Sequence, residues 1–243
     1  MKSEHIYPAA FCEKAKELED KIGYTFEEKE YLYEALTHSS YSNEQPNRKL
    51  YPCNERLEFL GDSVLSLAVS RYLFGAHNAF PEGELTRVRA VTVCENALYE
   101  YACDISLGDY LLLGKGEEMT DGRHRRSILA DAFEALIAAV FLDGSLDAAE
   151  EFIMDHAKAK AEVTVLNQVI KDYKSYLQQL VQYSKGDKLD YRLAGESGPD
   201  HKKTFTVQVF LNSNCIGTGS GFSKRDAEQM AAKEALVLFG EPV

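Results

Sequence analysis

The sequence predicts an all-α domain followed by a small α+β domain with the order α-β-β-β-α. In the first part of the chain, apolar residues recur at spacings of three and four, the period of an amphipathic helix. Near the end, residues 205–211 alternate apolar and polar side chains, as a half-exposed strand does. The charge also changes along the chain: residues 1–171 carry 18 Lys and Arg against 30 Asp and Glu, whereas residues 172–243 carry 9 of each. We therefore predict a first domain at 1–160, a linker at 161–171 and a second domain at 172–243.

The composition is that of a folded protein without a membrane anchor. Of the 243 residues, 45% are hydrophobic, and no apolar run is long enough to cross a bilayer. The first five residues, MKSEH, lack the charged-then-apolar order of a secretory signal. The five cysteines are scattered and include no Cys-x-x-Cys pair, which argues against a disulfide framework and a structural zinc site. We expect a cytoplasmic protein with reduced thiols.

The first helices are interrupted by turns. An apolar stripe that breaks at Gly23 predicts one helix, and the pattern at 26–36 predicts a second. A short turn follows at 37–41, and we assign His38 to shaping that turn rather than to a functional site. The polar residues 43–52, with two prolines, predict a loop.

The run NERLEFLGDS at 54–63 presents three acids on one helical face. Glu55, Glu58 and Asp62 fall at i, i+3 and i+7. Ionised carboxylates so placed repel one another, whereas a hard divalent cation requires such oxygen ligands. A solvated acidic face is the simpler alternative, but Gly61 and the flanking apolar residues favour a packed helix. The sequence therefore predicts metal ligands here.

A second pair of acids lies on the most apolar helix of the chain. Between Ile128 and Val140 only Asp131 and Glu134 are polar, and they are three residues apart. Burying acids is costly unless a metal or an ion pair compensates them. We prefer a metal to an ion pair with arginine. Upstream, the basic residues 122–126 predict a loop that leads into this helix.

Another acid, Glu82, opens a helical pattern at 80–90. From spacing alone, Glu82 is either an accessory to the acidic site or a first-turn acid that interacts favourably with the helix dipole. Its neighbour Glu84 is an alternative for the accessory position.

These stretches resemble a known family. All ten residues of 54–63 match the motif of the ribonuclease III family of double-stranded RNA endonucleases, and 36–41, LTHSSY, and 127–144 resemble two further blocks of that family. The order α-β-β-β-α at 172–243, with a glycine-rich third strand and Ser223 placed to cap the last helix, resembles a double-stranded RNA-binding domain.

The resemblance implies specific roles for residues of this chain. It implies Mg²⁺ as cofactor, with Mn²⁺ as a substitute, and a homodimer that cuts each strand of duplex RNA once, leaving 5′-phosphate and 3′-hydroxyl ends. Precursors of ribosomal RNA and structured messenger RNA are the implied substrates. The basic loop at 122–126 is then either a solvated loop or a contact with RNA backbone beside the cleavage site, and we prefer the contact. The implied residues are Glu58, Asp62, Asp131 and Glu134 as metal ligands, Asp62 and Glu134 as the catalytic pair, Glu55 and Glu82 as accessory acids, and Gln178, His201, Lys224 and Arg225 as RNA contacts.

Two other classes of function remain open at this point. A non-catalytic RNA-binding protein would keep the fold without the metal, although nothing would then hold repelling acids together. A di-iron oxidase in a helical bundle also collects acids on helices, but it uses Glu-x-x-His pairs. No histidine follows Glu55, Glu58 or Glu134 at that spacing.

Overall fold

The computed structural model describes residues 6–78, 80–171, 173–182, 188–199 and 203–241. The helices and strands are, in chain order, α1 (Ala9–Ile22), α2 (Lys29–Ala35), α3 (Ser39–Glu44), α4 (Glu55–Ala76), α5 (Glu82–Thr92), α6 (Glu95–Asp104), α7 (Lys115–Met119), α8 (Arg126–Asp143), α9 (Leu146–Lys171), α10 (Tyr173–Gln182), β1 (Leu189–Ser197), β2 (Thr204–Leu211), β3 (Asn214–Gly221) and α11 (Lys224–Leu238). The predicted fold class, helical first and then α-β-β-β-α, is confirmed.

The chain divides into two compact units. The first comprises residues 1–76 and 85–161, and the second comprises 77–84 and 162–243. The segment 161–171, which we predicted as a linker, is the C-terminal part of α9.

Helix α8 forms the centre of the first unit. Helices α2, α4 and α6 pack around it, and the apolar residues between Ile128 and Val140 are buried on every side. A helix that is apolar all round is stable only when it is enclosed, because each buried aliphatic side chain contributes about 1.5–3 kcal/mol. Despite this apolar character, no helix in the described part of the chain is long and apolar enough to cross a membrane.

Helices α4 and α8 cross at Gly61. A Cβ atom built on Gly61 would lie 1.9 Å from the backbone carbonyl oxygen of Glu134. Only glycine permits so close an approach, because any side chain would overlap the backbone of α8. The crossing therefore brings the part of α4 that carries Glu58 and Asp62 close to the part of α8 that carries Asp131 and Glu134.

A short parallel bridge fixes the start of α4. The backbone N–H of Leu112 donates to Leu36 (2.8 Å), and that of His38 donates to Leu112 (3.0 Å). Immediately before α4, the N–H of Asn54 donates to the carbonyl of Thr37 (2.9 Å). His38 precedes α3 and its Nδ1 accepts from the N–H of Ser40, which is the turn-shaping role that we predicted.

The basic loop before α8 makes contacts within the protein. The guanidinium of Arg123 donates to the carbonyls of Gly108 (2.7 Å) and Leu111 (2.8 Å) and pairs with Glu118. These bonds hold the loop against the preceding segment. Arg123 is thus committed to internal contacts, a role that the prediction of an RNA-contacting loop did not include.

The second unit contains a three-stranded antiparallel sheet in the order β1-β2-β3. Helix α11 packs on β2 and β3, and α10 packs against α11. The glycine-rich sequence of β3 has a packing reason: a Cβ on Gly217 or Gly219 would lie 2.3 Å or 2.1 Å from backbone atoms of Ala231. The small residues on both elements therefore let the strand and the helix pack closely.

Candidate metal centre and nucleic-acid interface

Three predicted ligands converge at the α4–α8 crossing. One carboxylate oxygen from each of Glu58, Asp131 and Glu134 lies within 4.8 Å of the other two, and all three side chains are half-buried. Glu58 comes from α4, and the other two come from one face of α8. A cluster of oxygen donors from two rigid helices suits a hard divalent cation such as Mg²⁺.

The other two acids on α4 are more exposed. Asp62 is not among the three clustered carboxylates. Among the neighbouring charges, however, that of Asp62 contributes most to raising the pKa of Glu134. Glu55 opens α4, and its charge acts on Glu58. The structure therefore brings together three of the four predicted ligands and leaves Asp62 at the edge of the cluster.

The electrostatics of the cluster favour binding of a cation. Burial, followed by the charges of Asp62, Glu58 and Asp131, raises the pKa of Glu134 to about 8. Burial and the neighbouring charges of Asp131 and Glu55 also raise the pKa of Glu58, and burial together with the charge of Glu95 raises that of Asp131. Raised pKa values mean that the ionised forms lack sufficient stabilisation by surrounding groups. A bound cation would supply that stabilisation.

The ion-pair alternative for the acids of α8 is not supported. Among the described residues, no lysine or arginine forms a salt bridge with Glu58, Asp131 or Glu134. Repelling carboxylates that are half-buried without a cationic partner cost free energy. The residues present therefore fit a divalent metal ion.

The accessory acid Glu82 lies in the first turn of α5. Its side chain is exposed, and it belongs to the segment 77–84 that groups with the second unit. The cluster of three carboxylates does not include it. Its accessory role stays a prediction.

Three of the four predicted RNA contacts lie on two helices of the second unit. Gln178 is exposed on α10, and Lys224 and Arg225 are exposed in the first turn of α11. Ser223 caps this helix by accepting from the N–H of Asp226 (3.1 Å). Two cations at a helix N-terminus present a surface that suits phosphate. His201 lies outside the described residues.

Sequence reasoning did not identify the exposed apolar face of α4. Phe59, Leu67 and Phe74 are 79%, 52% and 73% exposed, and helical geometry places them on one side of the helix. Hydropathy alone could not distinguish these residues from the core, because both sides of α4 are apolar. A face of this kind is typical of a protein–protein contact.

Comparisons with known proteins find relatives of both parts of the chain. Residues 28–160 match a family model described as Ribonuclease-III-like, and residues 173–237 match the double-stranded RNA binding motif. The chain is 49% identical to Ribonuclease 3 of Caldanaerobacter subterraneus subsp. tengcongensis, over 92% of this chain and 97% of that protein. It is 46% identical to Ribonuclease 3 of Clostridium perfringens, over 93% and 94% of the two chains.

A solved structure is similar to the helical unit. The nuclease domain of ribonuclease III from Campylobacter jejuni superposes with a TM-score of 0.54 at 37% identity. The match covers 59% of this chain and 95% of that domain. That structure is described as showing flexibility in a region involved in dimer formation.

Proposed function

This chain belongs to the ribonuclease III family of double-stranded-RNA endonucleases, and we propose that it hydrolyses the RNA backbone with Mg²⁺ held at the α4–α8 crossing. The observation that carries the proposal is the convergence of Glu58, Asp131 and Glu134 within 4.8 Å of one another. We assign Asp62 as the fourth ligand, because its charge acts on Glu134 from the edge of the cluster. Mn²⁺ offers the same preference for oxygen ligands and is expected to substitute.

The protein contributes the carboxylates that hold the metal ion and fixes their positions. When bound, Mg²⁺ would supply Lewis-acid stabilisation of charge on the phosphate and a lowered pKa for water. Glu58 and Asp131 fix the site from two helices whose separation is set by Gly61. Because the pKa of Glu134 is about 8, this residue is protonated at neutral pH without a cation and must release a proton when one binds. Asp62 and Glu134 are the residues that we propose as catalytic.

We assign supporting roles to the remaining residues and segments. Glu55 and Glu82 are proposed as accessory acids near the substrate. Residues 1–160 are proposed as the catalytic domain, 161–171 as the connection and 172–243 as the RNA-binding domain. In that domain, we propose that Gln178, His201, Lys224 and Arg225 contact duplex RNA, which such domains recognise through shape and backbone.

We further propose that the enzyme acts as a homodimer through the exposed face of α4. Phe59, Leu67 and Phe74 offer an apolar surface, and the similar Campylobacter domain is described in terms of dimer formation. Two sites in one dimer would allow one cut in each strand. The proposed substrates are precursors of ribosomal RNA and structured messenger RNA in the cytoplasm, where such transcripts occur.

A cleavage assay tests this function. Purified protein is incubated with a duplex RNA labelled on each strand, with Mg²⁺ or with a chelator, and the product ends are mapped. We expect cuts in both strands with 5′-phosphate and 3′-hydroxyl ends, dependence on the metal, and no cleavage of either strand alone. Equal cleavage in the chelator, or 3′-phosphate ends, would exclude the proposed hydrolysis.

The RNA interface is tested by a double variant, Lys224→Ala with Arg225→Ala. Both residues are exposed at the start of α11, so we expect weaker duplex binding and a salt slope that is shallower by about 1 for each phosphate that is no longer neutralised. Lys188→Ala is the matched control. It precedes β1 at the end of the sheet opposite to the start of α11, because Leu189 pairs with Leu211 whereas Gly221, just before α11, pairs with Phe205. If the double variant and the wild type have equal salt slopes, Lys224 and Arg225 are not part of the RNA interface.

A further inference from the structure

A row of paired residues crosses the sheet and ends beside the start of α11. Glu196 on β1 pairs with Phe205 on β2, and Phe205 in turn pairs with Gly221 at the end of β3. Residues that pair directly across antiparallel strands point to the same face of the sheet. A Cβ built on Gly221 would lie 2.6 Å from the Cβ of Asp226, so this face is the one that α11 covers. Glu196 therefore lies on the helix-bearing face, at the end of the sheet where α11 begins.

In this position the carboxylate of Glu196 contacts two lysines. Its Oε1 lies 3.9 Å from the Nζ of Lys224, the first residue of α11, and its Oε2 lies 3.4 Å from the Nζ of Lys203, just before β2. The Nζ of Lys224 also lies 5.8 Å from the centre of the Phe205 ring. The side chains of Glu196, Lys203 and Lys224 are 34%, 42% and 62% exposed. A carboxylate thus lies between two solvent-accessible ammonium groups at the proposed RNA interface.

These ion pairs are weak enough to exchange with a phosphate. Exposed pairs of lysine and carboxylate contribute little, because water screens them and the long side chains lose freedom. A phosphate of RNA offers the same ammonium groups a charge-assisted hydrogen bond. The carboxylate beside them, however, repels that phosphate and offsets part of the positive charge. Together, the three side chains present one net positive charge to the RNA instead of two.

We propose that Glu196 competes with RNA phosphate for Lys203 and Lys224, and that it keeps the affinity for duplex RNA below what the two lysines would give alone. The inference rests on the proposed RNA interface at Lys224 and Arg225, and it adds Lys203 to that interface. Residues 172–243 carry nine basic and nine acidic residues, so attraction of a polyanion depends on how individual acids are placed. Glu196 is placed against two of the nine basic residues.

Glu196→Gln removes the competing charge with little change in shape. A fluorescent duplex RNA is titrated with the full-length protein in chelator, and binding is followed by anisotropy at several KCl concentrations. We expect E196Q to bind about 2–10-fold more tightly than the wild type, the gain expected from releasing two exposed ion pairs. The salt slope should be steeper by about 1, because the lysines then neutralise one more phosphate. Tm should stay near that of the wild type, because both pairs are exposed.

Asp190→Asn is the matched control. Asp190 also lies on β1 and pairs with Arg192, with 2.7 Å between Oδ2 and Nε, but it lies opposite Phe210 at the other end of the sheet. D190N changes the net charge of the protein by the same amount as E196Q, so it separates a local effect from an effect of total charge. We expect D190N to match the wild type in affinity and in salt slope.

A double-mutant cycle tests whether the effect passes through the lysines. In a background with Lys203→Ala and Lys224→Ala, we expect E196Q to give no gain in affinity over the background alone. A gain that persists there would overturn the proposal, as would equal binding by E196Q and D190N. Weaker binding by E196Q than by the wild type would also overturn it, because Glu196 would then position the lysines for RNA instead of competing with it.

The failure of this proposal can be distinguished from the failure of the proposed interface. If Lys224→Ala with Arg225→Ala binds duplex RNA like the wild type, the interface itself is wrong. If that double variant binds weakly while E196Q matches D190N, the interface is correct and only the role of Glu196 is wrong.

Discussion

Glu134→Gln will abolish cleavage and, in the absence of metal, make the protein more stable at alkaline pH. The amide has the shape of the carboxyl group but no charge, so it cannot replace an ionised ligand. We expect the loss of cleavage to be far larger than the 10–100-fold typical for loss of a group that only supports a ligand. Duplex binding without metal should be largely intact, because the residues that we propose as RNA contacts lie in the second unit.

The stability effect follows from the raised pKa of Glu134. An acid whose pKa rises from 4.5 to about 8 on folding stabilises the folded state below pH 4.5, and that stability is lost as the pH rises to about 8. Each pKa unit corresponds to about 1.4 kcal/mol, but the side chain is partly exposed and solvent screening reduces the total. We expect the wild type to lose about 1–2 kcal/mol between pH 5 and pH 8.5 through this group, a loss that E134Q removes.

Urea denaturation in chelator at the two pH values measures this loss. Glu151→Gln is the matched control, because Glu151 is exposed on α9 and outside the cluster. We expect E151Q to match the wild type in cleavage and in pH dependence. Wild-type cleavage by E134Q would refute our ligand assignment.

Gly61→Ala will destabilise the protein and eliminate cleavage. The added Cβ would lie 1.9 Å from the carbonyl oxygen of Glu134, so α4 and α8 must separate by more than an ångström. Overpacking of this kind costs about 3 kcal/mol where the obstacle is backbone. Because Glu58 lies on α4 and Asp131 and Glu134 lie on α8, separation of the helices also moves the carboxylates apart.

The same helix offers a control for Gly61. Gly75 lies near the C-terminus of α4, and a Cβ there meets nothing within 4 Å. Gly75→Ala is expected to be neutral or to stabilise the protein by about 0.5–1 kcal/mol, because alanine has the higher helix propensity. Urea denaturation and Mn²⁺ titration of both variants make the comparison. Equal stability and equal metal affinity would show that the close crossing has no role in building the site.

The order of helices and strands could be predicted because apolar residues recur clearly at helical spacing in the first part of the chain and alternate with polar residues near its end. The acids of α8 could be recognised as unusual since they interrupt an otherwise apolar helix, and the acids of α4 because they share a face. Spacing alone could not show that Asp62 lies at the edge of the cluster, because the helix crossing angle decides which carboxylates meet.

Other features depended on contacts between distant residues. Hydropathy does not reveal that Phe59 and Phe74 face outward, since the residues on the buried side of α4 are equally apolar. Arg123 donates to carbonyls that are more than ten residues away in the chain, which the sequence does not reveal. From the sequence, the basic loop was therefore predicted to contact RNA. His38 was correctly predicted to shape a turn, because the local run of polar residues after α2 is enough to indicate one, and its ring accepts from the N–H of Ser40.

Anomalous diffraction from crystals grown with Mn²⁺ tests the central claim most directly, because it locates the ion without reference to activity. We expect an anomalous peak between Glu58, Asp131 and Glu134 at the crossing of α4 and α8, with an oxygen of each carboxylate bound to it. A protein that cleaves duplex RNA in the same Mn²⁺ buffer while its ion lies away from these three side chains would contradict the account.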